Sequence, residues 1–274
     1  MMKIQISVCQ MNVSHDKKTN LAKAKNMITN AAAAGSQIVV LPEMFNCPYE
    51  SSFFEKFAEE FPGPTTNFIS SLAKDLSIYI IGGSIPEKEN GKIYNTSYTF
   101  NPEGLLIGKH RKVHLFDVDI SGGIKFKESD TLSYGDNVTV FETKYCKIGV
   151  AICYDMRFGE LIRKMTLLGA KIIAIPAAFN MTTGPAHWHL LSRTRALDNQ
   201  VYFIAASPAR NEKDEYVSYG HSLVVDPWGK IIAEKDEKEG LLCCEIDLDY
   251  VEQIRNQLPL LKHRRNEIYK PENP

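Results

Sequence analysis

Hydrophobic positions in the N-terminal half of the chain predict strands and helices in regular alternation. Residues 3–10 alternate apolar and polar side chains, as a half-buried β-strand does. Residues 17–34 and 65–76 carry apolar side chains at the spacing of an amphipathic helix. Short β-branched runs at 37–41 and 78–82 predict buried strands, and a proline ends the first of them. The pattern therefore predicts the order strand, helix, strand, helix, strand.

The second half of the chain repeats this order. Each half ends in two strands joined by a turn, which reads Asn-Pro-Glu-Gly in the first half and Asp-Pro-Trp-Gly in the second. The matched segments are 3–9 with 147–153, 33–42 with 167–176, 75–86 with 197–208, and 95–108 with 220–233. Two sheets that are hydrophobic on both faces pack on each other and are covered outside by helices. We therefore predict an α/β fold, a four-layer αββα sandwich with two pseudo-repeated halves, formed by residues 1–274 as a single domain.

The composition is that of an ordinary globular protein. Hydrophobic residues make up 44% of the 274 residues, and 32 basic against 33 acidic residues give a net charge of −1. This balance gives no support to a nucleic acid or a membrane as partner. The longest apolar runs are far shorter than the roughly 18 residues of a membrane span. The N-terminus begins a strand at once and lacks signal-peptide features, so we expect a cytoplasmic protein and leave the mitochondrion open.

The cysteines and histidines predict neither a disulfide framework nor a metal site. The six cysteines are irregularly spaced and include no CxxC pair. His187 and His189 flank Trp188 near the start of a predicted helix and point to different sides of it. We therefore predict no metal ligands and reduced thiols.

Cys153 occupies the position in the sequence where a nucleophile is most useful. An apolar run ends at this residue and a helical pattern begins shortly after it, which predicts a strand, a sharp turn and a helix. Backbone N–H groups near a helix N-terminus favour a thiolate. The alternative is a small core residue, since free cysteines are usually buried and inert. In the first half of the chain Cys9 holds the matching position.

Two charged residues are candidates to act with this thiol. Glu43 follows a buried strand, where partial desolvation raises a carboxyl pKa towards that of a general base. Lys112 lies in a predicted strand at 105–113, on the same face as His110 and His114. A lysine that points inward needs an ionic partner and can stabilise an oxyanion. The alternatives are a capping loop glutamate and an edge-strand lysine that discourages aggregation.

Three other polar residues receive weaker predictions from the pattern alone. Glu128 lies in a polar loop, where a glutamate is usually solvated. Asp155 and Arg157 follow the cysteine closely, and we expect them to brace its turn by pairing with each other.

Three segments carry the candidate residues in order. They are LPEMF at 41–45, HRKVHL at 110–115 and GVAICYDMRF at 149–158. These segments resemble the glutamate, lysine and cysteine motifs of the nitrilase superfamily of carbon–nitrogen hydrolases, and the resemblance covers nearly the whole chain. It implies the αββα fold and a catalytic triad of Glu43, Lys112 and Cys153. It also implies that Glu128, in the segment FKES, supports the triad.

Within the superfamily the chain is most similar to the ω-amidase branch. The segments that carry this similarity are NCPY at 46–49, KVHLFD at 112–117, FNMTTGPAHW at 179–188, AASPAR at 205–210 and GHS at 220–222. The resemblance implies hydrolysis of the terminal amide of 2-oxoglutaramate and succinamate to the acid and ammonia, through a cysteine thioester and without a cofactor. An amidase for deaminated glutathione is the alternative, as are nitrile or N-carbamoyl substrates with the same triad.

Several residues are then expected to bind substrate. The backbone N–H of Tyr154 joins Lys112 in holding the oxyanion. Loop residues at the same end of the sheets are candidates for the far carboxylate of an ω-amide, namely Tyr49, Arg157, Thr182 and Thr183.

The resemblance also implies an assembly. Family members commonly dimerise through the helix after the cysteine and through the C-terminal tail. We therefore expect a homodimer in which the polar tail at 255–274 packs on the partner subunit. A rival from another class is a thiol-based redox or scaffold protein, in which Cys153 is merely oxidisable.

Overall fold

The computed structural model describes residues 2–269, and their strands form two large sheets and one small hairpin. The helices are α1 (Lys17–Ala33), α2 (Ser51–Phe57), α3 (Pro64–Leu76), α4 (Gly159–Leu167), α5 (Gly184–Asn199) and α6 (Leu248–Gln257). The strands of the first half are β1 (Lys3–Gln10), β2 (Ile38–Val40), β3 (Tyr79–Ile81), β4 (Ile85–Glu89), β5 (Lys92–Phe100), β6 (Leu106–Arg111), β7 (Asp117–Asp119) and β8 (Lys125–Lys127). The remaining strands are β9 (Thr139–Glu142), β10 (Lys147–Val150), β11 (Ala170–Pro176), β12 (Tyr202–Ala206), β13 (Leu223–Val225), β14 (Ile231–Glu234) and β15 (Gly240–Asp247).

The two large sheets are built on the same plan. In the first, β1, β2 and β3 are parallel neighbours, and β5 continues the sheet antiparallel to β3. In the second, β10, β11 and β12 are parallel neighbours, and β13 is antiparallel to β12. The predicted duplication is confirmed in this topology. Because the carboxyl ends of parallel strands share one edge of a sheet, the residues after β2 lie at that edge of the first sheet and the residues after β10 lie at the corresponding edge of the second.

The core is layered as an αββα sandwich. Apolar residues of β1 and β2 face those of β10, β11 and β12 in one cluster between the sheets. The outer face of the first sheet packs under α1 and α3, and that of the second under α4 and α5. β15 lies at the edge of the first sheet and pairs with β1, so the last strand lies beside the first. The helices in residues 2–269 are all too short or too polar to span a membrane.

Some elements were not predicted because their hydrophobic patterns are short or interrupted. Helix α2 has only seven residues, and strand β4 contains a proline at its second position. The β7–β8 hairpin forms a small separate sheet beyond the end of β6. The first three residues of the predicted tail, 255–257, are the last turn of α6. The tail's final residues, 270–274, lie outside the described part of the chain, and its packing on a partner stays a prediction.

Gly83 fixes the backbone on which Glu43 is held. Its φ of +56° lies in the left-handed region, and a Cβ there would overlap the Pro42 carbonyl oxygen. The next residue, Ser84, accepts the Met44 N–H on its side-chain oxygen at 3.0 Å and the Phe45 N–H on its carbonyl at 3.2 Å. The close approach of Gly83 to Pro42 is therefore part of what orients the turn after β2.

We expect Gly83→Ala to lower the free energy of unfolding by more than about 2 kcal/mol, since left-handed strain adds to the backbone overlap. Urea unfolding measures this change. Gly91→Ala is the matched control, because Gly91 also has a positive φ but no atom within 4 Å of the added Cβ. An equal loss in both variants would contradict a role for the overlap at Gly83.

Candidate active site

Glu43 lies in the turn directly after β2 and is 1% exposed. Its Oε1 atom accepts hydrogen bonds from Lys112 Nζ at 2.9 Å and from Asn95 Nδ2 at 2.8 Å. Its Oε2 atom has no nitrogen or oxygen partner among residues 2–269, and the Cys153 thiol interacts with the same carboxyl group. One oxygen is therefore fixed by donors, which leaves the other free to take a proton from the thiol.

Lys112 follows β6 directly and is completely buried. The predicted alternation is confirmed for residues 109–112, because His110 and Lys112 are buried while Lys109 and Arg111 are partly exposed. His114, predicted on the buried face, has a side chain that is 28% exposed. The Lys112 ammonium lies between two carboxylates, 2.9 Å from Glu43 and 2.9 Å from Glu128. A buried lysine is tolerated when its charge is paired and its N–H groups are hydrogen-bonded.

Glu128 is buried, so the expectation of a solvated loop glutamate is wrong. It begins a short 3-10 helix at Glu128–Asp130, after strand β8. One carboxylate oxygen accepts the Phe116 N–H at 2.6 Å, and the other accepts the Tyr49 hydroxyl at 2.6 Å. Sequence periodicity contains no sign of this burial, because the β7–β8 hairpin that folds Glu128 inward is itself irregular in pattern.

The Tyr49 hydroxyl has a partner other than the predicted substrate carboxylate. It donates to Glu128 and accepts from Lys112 Nζ at 3.3 Å. Its ring packs against the Tyr216 ring with centroids 4.6 Å apart. In this arrangement Tyr49 orients the charged cluster and forms part of a cleft wall beside the β7–β8 hairpin, with Phe126 and Tyr216.

Cys153 begins a second short 3-10 helix, Cys153–Arg157, immediately before α4. Its φ of +47° lies in the left-handed region, which is uncommon for non-glycine residues, and strained backbone of this kind clusters at active sites. The thiol contacts the Glu43 carboxyl group and the backbone of Ala178. The N–H groups of the first turn of a helix have no partner within it, and Tyr154 contributes one of them beside the thiol.

Burial and charge set the protonation of the cluster. Burial raises the pKa of Glu43, and the negative charge of Glu128 raises it further against the opposing effect of Lys112. Burial and the charge of Glu43 likewise hold the pKa of the Cys153 thiol well above its usual value. Burial lowers the pKa of Lys112, but the charges of Glu128 and Glu43 outweigh it and keep that pKa well above the ordinary value. The resting site therefore contains a neutral thiol, a cationic lysine and a carboxyl group poised to accept a proton.

Asp155 joins the lysine segment to the cysteine turn. It is completely buried and accepts the Ile152 N–H at 3.0 Å. It also contacts His110 Nε2 at 3.0 Å, His114 Nδ1 at 2.8 Å and the His114 N–H at 2.8 Å. Burial alone raises the pKa of Asp155, but its hydrogen bonds with His110 and His114 hold that pKa well below the usual value. The predicted pairing of Asp155 with Arg157 is wrong, because the two histidines take the carboxylate instead.

Arg157 is left as a half-buried cation without an acidic partner among residues 2–269. Its Nη1 atom lies 3.2 Å from His187 Nδ1, and its guanidinium carbon lies 4.8 Å from the Phe179 ring centroid. The buried Nε atom has no hydrogen-bond partner in the described part of the chain. Burial lowers the pKa of Arg157, while the thiol of Cys153 acts on it in the opposite direction. The guanidinium is therefore close enough to Cys153 to interact with it and is free to receive an anion.

Thr182 and Thr183 lie at the start of α5. The Asn180 side-chain oxygen accepts the N–H groups of Thr182 at 2.9 Å and Thr183 at 3.0 Å. Thr183 is buried and its hydroxyl lies 3.4 Å from the same Asn180 oxygen, whereas Thr182 is exposed. Of the two, Thr182 has the more accessible hydroxyl.

The comparisons with known proteins identify the family. The family model for carbon–nitrogen hydrolases matches residues 5–256. The chain belongs to the carbon–nitrogen hydrolase family. This carbon–nitrogen hydrolase is 52% identical over 272 residues to omega-amidase NIT2 of Xenopus tropicalis, covering 99% of both chains. It is 48% identical over 269 residues to omega-amidase NIT2 of Homo sapiens, covering 98% of both chains. The protein is therefore a hydrolase of an amide bond.

A solved relative has the same architecture. The carbon–nitrogen hydrolase matches Saccharomyces cerevisiae Nit3, a member of branch 10 of the nitrilase superfamily, with a TM-score of 0.89 and 46% identity. The match covers 96% of this chain and 97% of that one. The predicted nitrilase-type αββα fold is thereby confirmed.

Two residues of the hydrolase's site were absent from the sequence predictions. Asn95 donates to Glu43 from within β5, and Tyr216 packs on Tyr49 while donating to the Ala178 carbonyl at 2.5 Å. Asn95 lies within a strand, and the only sign of its role in the sequence is a polar side chain at a position that faces inward. Tyr216 lies in a long polar loop without a usable pattern.

We expect Glu128→Gln to move the acid limb of the kcat/KM profile to lower pH. The charge of Glu128 raises the pKa of Glu43, so its removal lowers that pKa and leaves Glu43 deprotonated down to a lower pH. We also expect kcat to fall roughly 10- to 100-fold, since Lys112 loses a positioning partner. A pH–rate profile of the variant measures both. If the acid limb stayed at the same pH, it would not reflect the pKa of Glu43.

Proposed function

We propose that the protein is an ω-amidase, which hydrolyses the terminal amide of short dicarboxylate monoamides such as 2-oxoglutaramate and succinamate to the acid and ammonia. The observation that carries the proposal is the similarity of about 50% to omega-amidases along practically the whole chain. The buried cluster of Glu43, Lys112 and Cys153 supports the same reaction, because it combines a base, a cation and a nucleophile within contact distance.

In the first half of the proposed reaction the amide is exchanged for a thioester. Glu43 takes the Cys153 proton through its free Oε2 atom as the sulfur attacks the amide carbon. Lys112 and the Tyr154 N–H stabilise the oxyanion, and each lowers the activation barrier by about 3–4 kcal/mol, by analogy with single oxyanion-hole donors. Glu43 then gives its proton to the leaving nitrogen. The carbon–nitrogen bond breaks, and ammonia departs.

In the second half, water hydrolyses the thioester. Glu43, again a carboxylate, takes a proton from the water as its oxygen attacks the thioester carbon. The carbon–sulfur bond breaks, the acid leaves, and the sulfur regains its proton from Glu43. Glu128 and Tyr49 keep Lys112 in place throughout, so the charges of the buried site stay balanced. The sequence of steps uses no cofactor.

Arg157 is the residue that we assign to the far carboxylate of the substrate. It is a cation near the thiol that lacks an acidic partner among the described residues, and it has an unpaired buried N–H. A guanidinium binds a carboxylate by two parallel hydrogen bonds. Thr182 is a second candidate donor at the rim, and Thr183 is a weaker one because its hydroxyl is directed at Asn180.

We expect Arg157→Gln to raise KM for succinamate by more than about 10-fold, since a charge-assisted hydrogen bond contributes roughly 1.5–3 kcal/mol. The matched substrate is butyramide, which has the same chain length but no carboxylate, and its kcat/KM should change much less. Steady-state ammonia release from both substrates separates the two outcomes. An equal loss for both would assign Arg157 to the cysteine turn rather than to the carboxylate.

The substrate class is tested by ammonia release from 2-oxoglutaramate, succinamate and deaminated glutathione under the same conditions. Preference for the two short ω-amides supports the proposal. Preference for the tripeptide would retain the reaction and change the substrate to that of the alternative amidase. Thiol oxidation without ammonia release from any amide would favour the alternative of a redox or scaffold protein. In such a protein the reactivity of the Cys153 thiol does not depend on Glu43 or Lys112.

We further propose a cytoplasmic homodimer that contacts through α4 and the C-terminal tail. Two exposed leucines at the end of α4, Leu167 and Leu168, support a contact there. Leu258, Leu260 and Ile268 are exposed in the tail. Sedimentation equilibrium of the full chain, compared with Leu168→Lys, tests the dimer, and fractionation of the source cells tests the compartment.

A further inference from the structure

We propose that His189, His221 and Glu234 form a binding site for a zinc ion, separate from the candidate active site. They come from three elements: His189 from the first turns of α5, His221 from the loop before β13, and Glu234 from the end of β14. The expected divergence of His187 and His189 is confirmed, because His187 contacts Arg157 while His189 turns to Glu234. The partner that completes the cluster, His221, is distant in sequence.

The three ligand atoms converge closely enough to surround one ion. His189 Nε2 lies 2.7 Å and His221 Nδ1 3.3 Å from the same Glu234 oxygen, Oε1. All three atoms lie within 4.8 Å of one another. Ligand atoms at the usual 2.0–2.1 Å from a tetrahedral zinc are roughly 3.3 Å apart. Side-chain adjustments of about 1 Å would therefore be enough to seat the ion.

The backbone around the two histidines is already fixed. Trp188, next to His189, is fully buried, and its Nε1 atom donates to the His221 carbonyl at 2.6 Å. One buried side chain thus ties the two ligand-bearing segments together. His221 is also held in the left-handed region, with a φ of +58°. Strained backbone of this kind persists only where the surrounding structure holds it in place. The backbone from which the His221 side chain projects is therefore fixed.

The donor set favours zinc over the common hard cations. Two imidazoles and one carboxylate suit zinc and similar transition metals, whereas magnesium and calcium prefer oxygen ligands. The side chains of His189, His221 and Glu234 are 32%, 23% and 34% exposed, so water can complete the fourth position. The ring of Tyr219 packs 4.5 Å from the His221 ring and forms one wall of the cluster.

A bound ion would connect α5 to the β13–β14 hairpin. β13 and β14 are paired with Leu223 opposite Glu234, so the ion would bridge the outer helix layer to the edge of the second sheet. An ion that binds the folded chain in preference to the unfolded chain raises the melting temperature by mass action. Thermal unfolding therefore provides a readout that is independent of catalysis.

The test is calorimetric titration of the metal-free full chain with zinc alone, together with thermal unfolding. Zinc also binds thiolates, and Cys243 is exposed, so every protein carries Cys243→Ser. The site variants are His189→Ala, Glu234→Gln and His221→Asn, where asparagine tolerates the left-handed backbone. His263→Ala, an exposed histidine outside the cluster, is the matched control. Melting temperatures without zinc establish that each variant folds.

We expect one zinc ion per chain and a zinc-dependent rise in melting temperature in the Cys243→Ser protein and in the control. Each site variant should bind zinc more than about 10-fold more weakly, since even the loss of a residue that merely supports a ligand costs that much. Each should also lose most of the thermal shift. Zinc binding of equal strength in all variants would overturn the proposal, as would its absence from the Cys243→Ser protein at micromolar zinc.

Discussion

Cys153→Ala is expected to abolish ammonia release, with a loss of kcat of at least about 10⁴-fold, comparable to the removal of other catalytic nucleophiles. Alanine keeps the backbone and removes only the sulfur, which in the protein contacts Glu43 and the Ala178 backbone. The fold should be retained, since Lys112 keeps both of its carboxylate partners. The measurement is ammonia release from succinamate, with urea unfolding to verify the fold.

Cys9→Ala is the matched control. Cys9 holds the position in the first half that Cys153 holds in the second, and it is also buried, in the cluster between the first sheet and its helices. Its removal should cost about 1 kcal/mol of stability through a small cavity and leave kcat near the wild-type value. Mass spectrometry during turnover should detect an acyl group on Cys153 of the wild-type protein. Substantial ammonia release by Cys153→Ala would contradict the proposed mechanism.

The duplicated fold was predictable because each half carries a strong local pattern. The β-branched runs that become β2 and β11 are almost entirely buried, and continuous apolar runs of this kind indicate a central parallel strand. The α2 helix and the β7–β8 hairpin were not predictable, since short segments without clear periodicity depend on the surface that they cover.

The site was predictable in part. Glu43 and Cys153 follow predicted strands, whereas Lys112 was predicted inside a strand and lies just after β6. The resemblance of their three segments to one family joined them into a triad. The burial of Glu128 depends on the inward-folding β7–β8 hairpin. The hydrogen-bond partners of Tyr49 and Asp155 depend on which residues the tertiary fold brings near them. The cluster of His189, His221 and Glu234 combines residues from three elements whose contact follows only from the packing of α5 on the second sheet.

Lys112→Met is expected to weaken both the fold and the activity. Methionine matches the length of lysine but leaves Glu43 and Glu128 as two buried carboxylates without their shared cation. Removal of one partner from a buried ion cluster costs about 3–5 kcal/mol. The loss of the proposed oxyanion donor should reduce kcat by a further 10²- to 10³-fold, roughly as for other oxyanion-hole deletions.

The stability loss in Lys112→Met should depend on pH in a defined direction. Without the lysine, the folded-state pKa of Glu43 rises further, so the folded chain binds more protons than the unfolded chain. The loss is then small at or below the unfolded carboxyl pKa of about 4.5 and grows as the pH rises towards the folded-state value. Urea unfolding at pH 5 and pH 8 measures the difference.

Restoring the charge balance separates the two roles of Lys112. The double variant Lys112→Met with Glu128→Gln contains one buried carboxyl instead of two, so it should recover part of the stability at pH 8 but none of the activity. Lys125→Met is the control, since the Lys125 side chain is 79% exposed and its pair with Asp119 contributes little. If the single and double variants were equally unstable, the balance of buried charges would not be the reason why Lys112 stabilises the fold. If the double variant regained wild-type kcat, Lys112 would not be the oxyanion donor.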